Sequence, residues 1–144
     1  MRLSSRSTLV ASVLFFFSVA ALLAAQHTAG GHHHPGAAKV KNPVAPSAVS
    51  LAAGKKLYLS HCSECHGETG RGDGEMGEDM DPKPANLSDA EWKHGTTDGE
   101  IFAVVRDGIK GTGMKSFAKK MSAHQIWDVI NYVHTLASTP AKSH

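Results

Sequence analysis

Two cysteines are all this chain has, and both fall in the run Cys62-Ser63-Glu64-Cys65-His66. No other stretch constrains the fold as much. Two residues between the thiols let both reach the vinyl groups on one side of a porphyrin, and a histidine directly after the second thiol is then held under the metal. Other uses of the same residues fit less well. A redox dithiol wants a thioredoxin-like βαβ setting, which nothing nearby supplies. A zinc site drawn from His61, Cys62, Cys65 and His66 lacks the long second spacing usual for such centres. One haem, covalently attached through Cys62 and Cys65 with His66 on its iron, is the expectation, and the chain must then wrap a large flat apolar body.

The N-terminus bears on the same chemistry. Arg2 and Arg6 precede an uncharged apolar run from Leu9 to Ala25, where Ala24 and Ala25 offer a cleavage site. The two arginines are not adjacent and no cysteine follows the run to take a lipid, so a Sec-type export signal is expected, delivering the chain to the periplasm. At 17 residues the run is at the lower edge of what spans a bilayer, and an uncleaved membrane anchor through 9–25 is the alternative to a removed signal peptide. Residues 26–49, rich in Ala, Gly, Pro and His, read as a disordered linker. The tract His32-His33-His34 in it receives no site assignment. Residues 50–138 form the candidate domain and 139–144 a tail.

Within the domain, Ser50 is expected to cap a helix from Leu51 to His61, with Leu51, Gly54, Leu57 and Tyr58 on one side. Gly67 to Lys83 is glycine-rich and acidic and reads as loop; its Gly72-to-Gly77 match to a phosphate-binding pattern has no preceding strand and the wrong charge. Ser88 and Glu91 suggest a capped short helix reaching Trp92. Asp98 is expected to cap a helix with Ile101, Phe102, Val104, Val105 and Ile109 on its apolar face, broken by Gly108, Gly111 and Gly113. Ser122 with Gln125 opens the last helix, whose stripe is Ile126, Val129, Ile130, Val133 and Leu136, and Pro140 ends it. No run alternates with period two, so the domain is expected to be all α.

A haem iron held by one histidine needs a sixth partner or an open site. Met76, Met80, Met114 and Met121 are the thioethers beyond the linker. Met114 follows Gly111-Thr112-Gly113, where glycines let the backbone lie close to a flat ring, and it is the chosen ligand. Met121 sits at the start of the final helix, and Met76 and Met80 lie in the acidic loop.

With these residues in hand, the stretch from about 50 to 138 resembles the class I cytochrome c family, in its bacterial single-haem branch. The resemblance rests on Gly54 and Tyr58 before the Cys62–Gly67 run, on Pro82-Lys83-Pro84-Ala85-Asn86-Leu87, on Gly108 to Met114, and on Ile126 to Val133. It implies a fold of three to four helices around one haem, with the first and last helices crossing near Gly54 and Tyr132. It also implies His66 and Met114 as axial ligands. Lys115 stands where the family commonly has proline.

A one-electron carrier is the leading functional reading, since filled axial positions leave no room for substrate. No other catalytic constellation competes. The alternatives are a haem subunit of a larger oxidoreductase and a peroxidase-like or gas-binding protein with an open sixth site. The partners expected are a redox donor and acceptor, not nucleic acid. All 13 acids follow Ser50, against 11 Lys and Arg, so the domain is formally −2. Its charges divide: acids crowd the first loop, whereas Arg106, Lys110, Lys115, Lys119 and Lys120 surround Met114, a pattern that would steer an acidic partner.

Overall fold

The computed structural model describes residues 36–89 and 92–137. Four α-helices occur among them, α1 (Ala48–His61), α2 (Ser63–His66), α3 (Asp98–Asp107) and α4 (Ala123–Ala137), with short 3₁₀ turns at Ala37–Lys39 and Glu75–Gly77. The described residues contain no strand, in keeping with the all-α reading.

Helix α4 is the centre. Ser122 and Gln125 close its start reciprocally: the Gln125 N–H donates to Ser122 Oγ at 3.3 Å and the Ser122 N–H to Gln125 Oε1 at 2.8 Å. Ile126, Trp127, Val129, Ile130, Val133 and Leu136 are buried along it, together with Asp128 and Asn131. Helix α1 crosses it at Gly54. A β-carbon there would run into the carbonyl oxygen of Asp128 and lie 3.0 Å from Cβ of Tyr132. Hydrogen in place of a side chain is what lets the two backbones meet. The buried face of α1 is accordingly Ser50, Gly54 and Tyr58, at intervals of four. Leu51 and Leu57 are only half-buried.

Helix α1 starts earlier than expected. Its cap is Ser47, which accepts from the Ser50 N–H at 3.2 Å. Ser50 lies inside the helix and gives its hydroxyl proton to Asp128 Oδ1 at 2.6 Å. Helix α3 is likewise capped one residue upstream, by Thr97 in a reciprocal box with Glu100. Asp98 is its first residue, where a carboxylate favours the positive end of the dipole. Ile101 and Val105 are buried, and Phe102 stacks on Trp127 with ring centres 4.1 Å apart. Gly108, at φ +74°, terminates the helix in a backbone conformation that a side chain would strain. Among the described residues no helix follows Ser88: the chain turns there around Asn86, whose Oδ1 accepts from the Ser88 N–H at 3.0 Å. Glu91, the expected partner of that cap, lies outside the described residues, as do Pro140 and residues 1–35.

The largest departure concerns the expected linker. From residue 36 to 47 it is a packed strap. Ala37 is buried against α3 at Gly99, and Val44 packs on the core. Asn42 Nδ2 donates to Asn131 Oδ1 at 2.8 Å and to the Trp127 carbonyl at 3.3 Å. Asn131 Nδ2 in turn donates to the Val44 carbonyl and to Ser50 Oγ. Buried polar groups on α4 thus find partners in a segment whose composition resembles a linker's.

Candidate haem site

Cys62 ends α1 and opens α2, and the chain bends there with φ −120° and ψ −35°. The one-turn helix α2 is secured by the Cys65 and His66 N–H groups, which donate to the Cys62 carbonyl at 3.2 and 2.9 Å. Gly67, with φ +76°, closes it, and its carbonyl accepts the buried Tyr58 hydroxyl at 2.7 Å. The turn carrying Cys62, Cys65 and His66 is thereby pinned to the α1–α4 crossing. Both thiols are free and half-buried. Burial and the neighbouring Cys65 thiol push Cys62 up to about 12, so it is a neutral thiol rather than the activated thiolate of a redox dithiol. His61 is exposed and its ring faces Phe117 at 6.2 Å. Among the described residues no group of three or more His, Cys, Asp and Glu side chains converges as a metal cluster would.

The first loop folds back under α2. The Gly72 N–H donates to the His66 carbonyl and the Gly74 N–H to that of Cys65. Those amides are therefore committed within the loop and do not cradle a phosphate. Pro84, Ala85 and Asn86 follow, and the His66 imidazole donates from Nδ1 to the Ala85 carbonyl at 3.0 Å. This fixes the tautomer and leaves Nε2 with its lone pair. Burial holds His66 below the usual histidine range, an effect the bond to Ala85 opposes.

Met114 lies on the loop after α3, half-buried against the core. Its N–H donates to Thr112 Oγ1 at 3.1 Å and its carbonyl accepts from the Ile109 N–H at 2.9 Å. Met121 is in the core and Met76 is exposed. Arg106 forms a forked pair with Asp107, at 2.7 Å for both bonds. Lys110, Lys115, Lys119 and Lys120 are all exposed beside this loop.

The arrangement fits a haem. Two thiols on one turn, an imidazole aimed by a backbone carbonyl, and a thioether on the loop after α3 match the donors such a group takes. Leu57, Leu87, Phe102 and Phe117 are half-buried and pack against the core. The sequence alone could not supply two residues of this site: Ala85, whose contribution is a backbone atom, and Met80, whose side chain reaches Gly113.

Helices that present a Cys-x-x-Cys-His turn against a methionine loop define a class of protein, the class I c-type cytochromes. The sequence profile described as Cytochrome c matches residues 51–137, and the chain belongs to this family. It is an electron-carrier domain, and the family's cofactor is covalently attached haem c with its iron. Among curated proteins it is 31% identical over 83 residues to the Cbb3-type cytochrome c oxidase subunit FixP of Azorhizobium caulinodans, covering 58% of this chain and 26% of that one. It is 28% identical over 106 residues to the corresponding subunit CcoP of Rubrivivax gelatinosus, covering 74% and 31%. The chain thus spans under a third of either relative. Among solved structures it is similar to a chain of the Kuenenia stuttgartiensis reducing HAO-like protein complex Kustc0457/Kustc0458, with 33% identity and TM-score 0.61, covering 67% of this chain and 49% of that one. Cytochrome cL from Hyphomicrobium denitrificans matches at 26% identity and TM-score 0.53, covering 67% and 52%.

Proposed function

We propose that this chain is an exported single-haem one-electron carrier in which Cys62 and Cys65 hold the haem and His66 and Met114 are the axial ligands of its iron. The observation that carries the reading is the aim of His66: its Nδ1 proton is committed to Ala85, so Nε2 is the atom offered to a metal. The haem, when bound, supplies a ferrous/ferric couple. The protein's part is to hold both axial donors so that neither changes partner with oxidation state. Tyr58, through Gly67, fixes the turn bearing the thiols and the imidazole. Thr112 and Ile109 fix the backbone of Met114.

The test is a set of single variants of the haem-loaded protein. Acid-acetone should leave the haem on the parent. Met114→Ala should abolish the ferric thioether absorption band and admit imidazole to the iron. A band that persists in Met114→Ala refutes the ligand assignment, and haem that extracts freely refutes covalent attachment.

A second reading, a haem subunit working only inside a larger oxidoreductase, is favoured by the oxidase subunits and the multiprotein complex among the similar proteins. Co-purification of a stoichiometric partner would select it. Export rests on residues 1–25. Among the described residues no helix is long and apolar enough to cross a membrane, so the choice between cleaved signal and anchor is made by the intact mass of the mature protein. The lysines beside Met114 are proposed as the docking surface for an acidic redox partner.

A further inference from the structure

The loop that carries Met114 is a weak scaffold by itself. It contains Gly108, Gly111 and Gly113, and Gly111 has open space around the position where a side chain would stand. The two hydrogen bonds of Met114 are both made within the same loop, to Thr112 and Ile109. They shape the loop but do not tie it to the rest of the molecule. The neighbour nearest to Gly113 comes from outside the loop. A β-carbon placed on Gly113 would lie 2.5 Å from Sδ of Met80, 3.1 Å from its Cε and 3.5 Å from its Cγ, and these are the three nearest atoms.

Met80 is itself well founded. Its N–H donates to the Gly77 carbonyl at 3.2 Å, and a β-carbon on Gly77 would stand 2.5 Å from the carbonyl oxygen of Cys65 and 2.8 Å from the ring of Pro84. Its sequence neighbours Asp79 and Asp81 are exposed while Met80 is half-buried, so this residue is turned inward from an otherwise acidic, solvated loop. A continuous line of contacts therefore runs from Cys65 through Gly77 and Met80 to Gly113, one residue before Met114. An unbranched thioether suits such a joint, because it can fill an irregular gap between two loops.

We propose that Met80 is a positioning residue for Met114: its side chain, braced on the haem-attachment turn, presses on Gly113 and holds the Met114 loop closed. The inference rests on Met114 being the iron ligand. Its consequence is kinetic, since the loop must open before an exogenous ligand can replace the thioether, and a brace worth one or two kcal/mol changes an opening equilibrium by a factor of about 5 to 30.

The experiment uses the haem-loaded protein, with imidazole as probe. Met80→Ala should retain the ferric thioether band, bind imidazole at least about fivefold faster than the parent, and shift the reduction potential. Met80→Leu should restore parent behaviour, since it refills the space. Gly113→Ala, whose new methyl would strike Met80, should speed imidazole binding in the parent and have a much smaller effect in the Met80→Ala background. Unchanged imidazole kinetics and potential in Met80→Ala would overturn the proposal, as would additive effects in the double variant. Should Met80→Ala fold too poorly to measure, Gly113→Ala in the otherwise unaltered chain decides, and imidazole binding no faster than in the parent overturns the proposal. If Met80→Ala loses the band while Met114→Ala keeps it, Met80 is the ligand itself, and the positioning role and the assignment of Met114 fall together. Loss of the band in Met114→Ala with no effect of Met80 sinks only the present inference.

Discussion

Gly54→Ala should destabilise the protein although alanine is the better helix former. A methyl at this position would meet the Asp128 carbonyl, whose carbon lies 2.6 Å away and whose oxygen is closer still, and Cβ of Tyr132 at 3.0 Å. Ordinary carbon contacts are about 3.5–4.0 Å, so α1 and α4 would have to part by on the order of 1 Å. The obstructing atoms are backbone and a Cβ, which cannot rotate away. Overpacking of this kind costs about 1–3 kcal/mol, and the absence of any soft neighbour puts this case at the upper end. Alanine returns about 1 kcal/mol of helix propensity. The expected net loss is about 2 kcal/mol, read by guanidinium unfolding of the haem-loaded protein followed by far-ultraviolet circular dichroism. Ala52→Gly is the control: residue 52 is exposed on the same helix, and its loss of about 1 kcal/mol reports propensity alone. A Gly54→Ala protein as stable as the parent would refute the close-crossing argument.

Tyr58→Phe should cost about 1–3 kcal/mol, because it leaves the Gly67 carbonyl without its buried donor. Burial, with smaller contributions from Cys62, Tyr132 and Asp73, raises the Tyr58 phenol above its ordinary value. Its stabilisation is therefore complete below about pH 10 and lost as pH rises beyond, and Tyr58→Phe should weaken the alkaline dependence of the unfolding midpoint. Asn131→Ala removes bonds to Asn42, Val44 and Ser50 together; a loss of about 2–3 kcal/mol and faster proteolysis between residues 36 and 47 are expected, and an intact strap would count against the network. Lys115→Glu combined with Lys119→Glu should slow electron transfer to an acidic partner and flatten its salt dependence; rates indifferent to both changes would dismiss the docking surface.

The sequence told most where a signal was local. Helices α3 and α4 carry broad apolar faces, α4 has its reciprocal cap within four residues, and the thiols with the adjacent histidine form a motif complete in itself. It told less where the partner was distant. Ser50 and Ser47 are both plausible caps by type; the structure separates them because the Ser50 hydroxyl is claimed by Asp128, 78 positions away. The carbonyl that aims His66 belongs to Ala85, 19 residues on, and an alanine side chain announces nothing about its backbone oxygen. Residues 36–47 read as disordered because Pro43 and Pro46 break any helix and few large apolar residues are there to bury. An extended segment needs neither a helix nor many such residues to pack when its few anchors, Ala37, Asn42 and Val44, find places on helices folded elsewhere. Met80, flanked by Asp79 and Asp81, reads from sequence as part of the acidic loop; only the fold brings it to Gly113.

The strap also bears on what counts as the unit of inheritance. The match to the family profile begins at residue 51, where the shared pattern of helices and haem motif becomes recognisable. Cohesion begins earlier, at the turn around Ala37. A fragment trimmed to the first residue of the profile match would keep every residue that defines a cytochrome c and yet bare Asn131, the Trp127 carbonyl and Gly99 to water. Its helices would carry polar and apolar groups shaped for a neighbour that had been cut away. For a domain of this kind moved between proteins, as a module in a longer chain or as a graft, the safe place to cut lies upstream of the profile match, before the strap that begins near Ala37.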